Sequence, residues 1–214
     1  VIAPIVGTRE VAAEGGYQLA STGVTWADPA EVGALREAIA SRDVGSVMLV
    51  FPLLAAAALA QAVGQSIGYE HIAMLLVERD RSTLAVVDVA DGSIVDLHRR
   101  QLVEGTAVEP AAMVAGLDAP MSRADGAFVV GCGAGSGTDV AAIKAALESA
   151  TALEVTVPEE PDIALAWGAA LASANAPLFM SSTARPHRRR PRRQGPRPVR
   201  GKWRRLSAHW AITL

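Results

Sequence analysis

Between Ala55 and Val63 the chain reads Ala-Ala-Ala-Ala-Leu-Ala-Gln-Ala-Val, and this run constrains the fold more than any other feature. Alanine is the best helix former. A helix with side chains this small can lie very close to a neighbouring element. It follows Val44–Phe51, a continuous apolar run of the kind that makes a strand buried on both faces. Pro52 and Gln61 interrupt the stretch Val47–Val63, so it reads as a strand followed by a buried helix. No apolar run reaches the roughly 18–20 residues needed to span a bilayer.

The remaining segments extend the same pattern. Gln18–Trp26 has strand character, and Asp28-Pro29 then starts a helix, with Asp as N-cap and Pro at the first position. Val32, Leu35 and Ile39 fall at helical spacing through Ala40. Strands are expected at Ile72–Val77, Thr83–Val89 and Ser93–Arg99, with Asp91-Gly92 as a hairpin turn. A helix is read around Ala111–Gly116 and a short strand at Phe128–Val130. A capped helix should follow Thr138 or Asp139, with Val140, Ile143 and Leu147 on one face. A strand at Val155–Val157 and a helix at Asp162–Ala174 close the series. The order β-α-β-α, a β-meander, then β-loop-α-β-α indicates an α/β protein with mixed sheets.

Charge divides the 214 residues unevenly. Residues 181–214 hold ten Arg, one Lys and no acid, which leaves nine basic and all twenty-two acidic residues in 1–180. An acidic body does not attract nucleic acid or anionic lipid, whereas the basic tail could. Interleaved prolines forbid a helix there through residue 198. The abrupt change at Ser181–Arg185 reads first as translation of a GC-rich gene out of frame. A disordered solvated tail is the second reading, and a nucleic-acid arm the third. At the other end, the apolar Val1–Val6 has no basic flank, so it is no signal peptide and the start reads as internal. With no export signal or spanning segment in view, the expected location is cytoplasmic. One cysteine, Cys132, excludes an intrachain disulfide framework, and no Cys/His cluster offers a zinc site.

Gly131, Gly133, Gly135 and Gly137 follow an apolar strand and precede a helix. Such a loop lets backbone N–H groups approach a phosphate or an adenosine face. The spacing is neither that of a Rossmann fingerprint nor that of a P-loop, and a structural turn explains it equally well. Cys132 within the loop reads as a small packed residue, since no His lies nearby in sequence to activate it. Asp88, Asp91 and Asp96 could be offered as a Mg²⁺ site, but solvated charges on a hairpin are the simpler account.

The order of segments resembles the nucleotide-binding domain of the seventy-kilodalton heat-shock chaperones, within the actin-like ATPase superfamily. More narrowly, it is similar to an actinobacterial group of chaperone-like proteins. Four stretches carry the likeness: Gly23–Trp26 with its following helix; Val47–Gly64; Ile72–Leu97; and Val129–Lys144 with Pro161–Ala170. The resemblance implies two ribonuclease-H-like lobes facing across a nucleotide cleft, with two helices crossing tightly at its base. That would account for the small residues at Ala55–Ala60 and at Gly168-Ala169-Ala170. It implies a partial first lobe in 1–65, incomplete at its N-terminus, and a second lobe in 66–178; the composition sets 179–214 apart as a disordered basic tail, or one read out of frame. The resemblance also implies ATP with Mg as the cofactor, and Gly131, Gly133, Gly135, Gly137 and Thr83 as the binding residues.

The departures from the family are equally specific. Where the second phosphate hook requires glycines, this chain has Asp80-Arg81-Ser82, with Thr83 kept and Glu78 replacing the leading Asp. The cleft acid falls at Leu53, and the first phosphate loop is absent. The expectation is a degenerate ATPase domain acting as a binding or scaffold module, with no catalytic residues, no resident metal and little or no hydrolysis. The alternatives are a weak ATP binder or ATPase once completed, and nucleic-acid binding through the tail. Uncovered sheet edges, notably at Val1–Val6, should favour self-association or binding to an unknown protein partner.

Overall fold

The computed structural model describes residues 2–42, 44–102, 108–115, 124–132, 139–180 and 208–213. Helix α1 (Ile2–Glu14) leads to strand β1 (Leu19–Thr25). The Asp28 carboxylate then accepts the Ala30 N–H at 2.8 Å, as an N-cap does, and a single 3₁₀ turn precedes α2 (Val32–Ala40). After β2 (Val47–Leu49), Pro52 occupies the first position of α3 (Pro52–Ile67), where its missing N–H costs nothing. Gly68 ends α3 at φ 90°, and the Gly68 and Tyr69 amides both donate to the Gly64 carbonyl.

The meander then forms as β3 (His71–Val77), β4 (Arg81–Asp88) and β5 (Ile94–Gln101). Gly92, at φ 75°, makes the second turn, with the Ser93 amide donating to the Asp91 carboxylate. Helix α4 (Val108–Ala115), β6 (Gly126–Gly131), α5 (Val140–Ala150), β7 (Glu154–Thr156) and α6 (Ala164–Met180) follow. Asp139 caps α5 by accepting the Ala142 N–H at 2.9 Å. Ala208–Thr213 forms a last strand, β8.

Two sheets result. The larger has the order β5-β4-β3-β6-β7, with the meander antiparallel and β6 and β7 parallel to β3. This is the ribonuclease-H-like arrangement. The smaller has the order β2-β1-β8, all parallel. On one face of the larger sheet Ile72, Met74, Leu76, Ala85 and Val87 meet Ala56 and Ala60 of α3 and Leu165 and Ala169 of α6. On the other, Ala73, Leu75, Leu84 and Val86 meet Val114 of α4 and Ile143 and Leu147 of α5. Burial of each such Leu or Ile contributes roughly 1.5–3 kcal/mol. The smaller sheet has a core of Ile5, Val24, Leu35 and Val44.

Helices α3 and α6 cross between the sheets at backbone contact. A Cβ placed on Gly168 would fall on the Ala55 carbonyl, and one on Gly23 would fall on the Ala169 carbonyl. The small residues at both sites therefore allow α6 to touch α3 and β1 at once.

Three expectations need correction. Val1–Val6 does not present an uncovered strand: residues 2–14 are helical, and Ile5 is buried against Val24. Val44–Phe51 pairs only over Val47–Leu49, which is half-buried, because it lies at the edge of its sheet. The segment 179–214 is not tail throughout: α6 continues to Met180, and residues 208–213 pair in parallel with β1.

Candidate functional site

The carboxyl ends of the parallel strands, where open α/β sheets bind ligands, meet here between the two lobes. Helix α6 runs antiparallel to β1: Ala169 lies over Gly23, and the Ser21 hydroxyl reaches Ser173 at 3.3 Å. The first turn of α6 therefore lies at the carboxyl end of β1. Ala55, in the first turn of α3, touches Gly168. The amino ends of both crossing helices thus lie close together.

Neither end is capped by a side chain. Phe51 and Glu160 hold the cap positions of α3 and of the 3₁₀ turn that opens α6, and neither makes a side-chain capping bond. Unsatisfied N–H groups and the helix dipole make such ends partially positive. Thr25, at the carboxyl end of β1 and on the face that Gly23 turns to α6, is fully buried. Its Oγ1 has no hydrogen-bond partner among the described residues. A buried hydroxyl left unpaired costs about 1–3 kcal/mol.

The second lobe contributes the hairpin between β3 and β4. The Glu78 amide donates to the Arg81 carbonyl at 2.8 Å, and the Leu102 amide donates to the Asp80 carbonyl at 2.9 Å. The Arg81 guanidinium lies 2.7 Å from the Glu78 carboxylate and 4.0 Å from that of Asp80. No non-glycine residue among those described has positive φ, so the turn lacks the glycine conformation that lets successive amides converge on an anion. Leu53, where the family resemblance puts the cleft acid, sits in the first turn of α3 against the apolar core.

The site residues read from the sequence fall out differently. Gly131 ends β6 in register with Val77, beside the hairpin. Gly133, Gly135 and Gly137 lie outside the described residues. Thr83 is buried within β4, between Leu76 of β3 and Arg99 of β5, beyond the turn itself. Cys132 donates its amide to the Val77 carbonyl at 3.1 Å and joins the buried cluster of Val50, Ala55, Ala164 and Leu165. Burial, reinforced by the nearby Glu78 carboxylate, pushes its thiol up to about 12, with Arg81 opposing. It is a protonated, packed thiol and no nucleophile at neutral pH.

Asp88, Asp91 and Asp96 do not converge. Their carboxylates accept the amides of Ala90, Ser93 and Leu97, and Asp96 also faces His98 at 3.1 Å. Among the described residues no group of three or more His, Cys, Asp or Glu could hold a metal ion, and no helix is long and apolar enough to cross a membrane. Sequence reasoning included Thr25 in its strand but missed it as a site. The available signal was a hydroxyl two residues after a glycine that must face a helix.

A mixed five-stranded sheet and a parallel three-stranded one, joined by two crossing helices, define an actin-like ATPase fold, ribonuclease-H-like in its larger lobe. The chain belongs to a family described as a family of unknown function, DUF7159, whose model matches residues 1–184. No curated protein matches it. Among solved structures it is similar to the ethanolamine utilization protein EutJ from Carboxydothermus hydrogenoformans, at 17% identity and a TM-score of 0.47, over 80% of this chain and 74% of that one. It is also similar to an archaeal actin homolog, at 12% identity and a TM-score of 0.48, over 79% and 75% of the two chains. A Bacteroides thetaiotaomicron protein with an actin-like ATPase fold is similar at 8% identity and a TM-score of 0.44, over 64% of this chain and 49% of that one. The fold assignment stands on the strand order and the crossing helices rather than on these scores.

Proposed function

We propose that the chain is a degenerate actin-like ATPase domain that serves as a binding or scaffold module, with little or no hydrolysis. The observation that carries this reading is the hairpin Glu78–Arg81, closed on itself by an ion pair and by its own backbone bonds. Phosphoryl transfer depends on positioning the phosphates and neutralising charge with metal and cations. Here the Arg81 cation is paired with Glu78, and Leu53 offers no carboxylate to hold a metal or orient a water. The phosphate end of this lobe therefore does not fit a Mg-bound triphosphate, and no catalytic step is assigned to it.

A second reading, weak binding of ATP with Mg and no turnover, is favoured by one feature. The Thr25 hydroxyl, buried and without a partner among the described residues, lies at the end of β1 where two helices without side-chain caps begin. Titration calorimetry of the full chain separates the two readings, with tripolyphosphate and adenosine as controls for adsorption to the basic tail. The scaffold reading expects no saturable heat specific to ATP over tripolyphosphate, and no phosphate release above buffer. Saturable micromolar binding competed by adenosine establishes the second reading instead. Magnesium-dependent phosphate release overturns both.

A further inference from the structure

A groove of about 320 Å³ opens where α3, β6 and α6 meet the segment 156–160. Leu59 and Val63 of α3, Phe128 of β6 and Ala164 of α6 give it an apolar lining, and Val157 and Pro158 continue it. That volume sits at the lower end of the range for small-molecule sites, about 300–1,000 Å³. Trp167 lines the same groove. It is 55% exposed, although Ala164, Leu165, Ala166 and Ala169 around it on α6 are buried. No ring contact or hydrogen bond among the described residues engages its indole. Of the aromatic side chains, tryptophan attracts a cation most strongly.

Glu159 and Glu160 complete the lining, and both are exposed. Neither carboxylate has an ion pair among the described residues, and Glu160 makes no capping bond. No Lys, Arg or His among the described residues lines the groove. The 3₁₀ turn that opens α6 contributes about half a positive charge at its amino end. Two full carboxylate charges, with Asp162 beside them in that turn, outweigh it. The groove is therefore negative, and the excess of acidic residues in 1–180 adds to its field at longer range.

We propose that this groove binds a small organic cation: an alkyl- or arylammonium whose apolar body packs on Leu59, Val63 and Phe128 while its charge lies by Trp167 and the two carboxylates. Each feature excludes something. The carboxylates repel anions, nucleotides among them. The apolar lining gives no coordination shell to an inorganic cation, and no metal-holding cluster exists among the described residues. The volume admits a body of one ring or one short chain. The site uses neither Thr25 nor the hairpin Glu78–Arg81, so it stands or falls apart from the function proposed above.

Heteronuclear NMR of the full chain tests it. The probes are benzyltrimethylammonium, benzyl alcohol as a neutral control and benzenesulfonate as an anionic one. With benzyltrimethylammonium the Trp167 indole N–H and the Val63 and Ala164 amides should shift saturably, with a midpoint of about 1–10 mM, ordinary for a ligand this small. Benzyl alcohol should bind about threefold more weakly or worse, and benzenesulfonate should leave these signals in place. Glu159→Gln combined with Glu160→Gln, at two exposed positions, should weaken binding of the cation about threefold or more. Trp167→Leu should weaken it about twofold to fivefold; if that variant does not fold, the glutamine pair decides alone. The site is refuted if no signal saturates by about 50 mM, if alcohol and cation bind equally, or if the glutamine pair leaves binding unchanged. Nuclear Overhauser contacts from the Trp167 indole to an arginine or lysine side chain of the free protein would show a cation of this chain already in the groove, and overturn the assignment to a free ligand.

Discussion

The second lobe buries both faces of its three inner strands, β4, β3 and β6, whereas the first buries a small cluster and leans on α6 for the rest. The two lobes thus differ in self-sufficiency. The larger sheet owns its core, with α4 and α5 on one side and the crossing helices on the other. The smaller shares α6 with its neighbour through Gly23 and Gly168, so its stability depends on a contact that also holds the second lobe.

The sharpest break in this comparison comes from the glycines. Gly168→Ala places a methyl on the Ala55 backbone, which cannot move aside cheaply. The expected loss exceeds about 4 kcal/mol in urea unfolding, with amide protection lost in both lobes. Gly23→Ala should deprotect β1 and β2 while β3, β4 and β6 stay protected. Uniform deprotection would show that the lobes unfold as one unit.

Core truncation should come next. Phe128→Ala in the second lobe is expected to cost about 3–5 kcal/mol, and Leu35→Ala in the first nearer 2 kcal/mol, because a small cluster can collapse around the gap. Chemical denaturation of both variants measures the ratio, and equal costs would mean the first lobe is packed as tightly as the second. The helix caps should then show no asymmetry: Asp28→Ala and Asp139→Ala each remove one side-chain bond to an orphan amide, at about 1 kcal/mol apiece.

The smallest effect at neutral pH belongs to Cys132. Its thiol lies at about 12 in the folded chain against an ordinary value of 9.0. Because the folded state holds this proton more tightly, the contribution is fully present below pH 9 and is lost as pH rises toward about 12. Cys132→Ala should flatten that alkaline decline, and an aromatic disulfide reagent at about pH 8 should react only with unfolded chain.

Local chemistry made much of this legible. The Asp28 and Asp139 caps, the Asp91-Gly92 turn, the meander and the alanine helix each depend on neighbours close in sequence. Helix α1 was harder to read because Ile2, Ile5, Val6 and Val11 form no continuous stripe and Pro4 lies among them, though a proline is tolerated in a first turn. The run Val44–Phe51 reads as a fully buried strand, but apolar length does not reveal that one edge has no partner among the described residues. Strand β8 follows a segment of Arg and Pro, and its pairing with β1 spans nearly the whole chain. At the site, the hook's lost glycines could be read directly. The isolation of the Thr25 hydroxyl depends on what α6 and α3 place around it, which no local pattern records.

The crossing at Gly168 and Ala55 has a mechanical consequence. It is a fulcrum near one end of α3 with no side chain larger than the Ala55 methyl, so no rotamer at the crossing itself resists a change in angle. Ile67, at the far end of that lever, is about 18 Å away at 1.5 Å per residue, and a tilt of about 10° would swing it through roughly 3 Å. The short arm on the cleft side would move by a fraction of that.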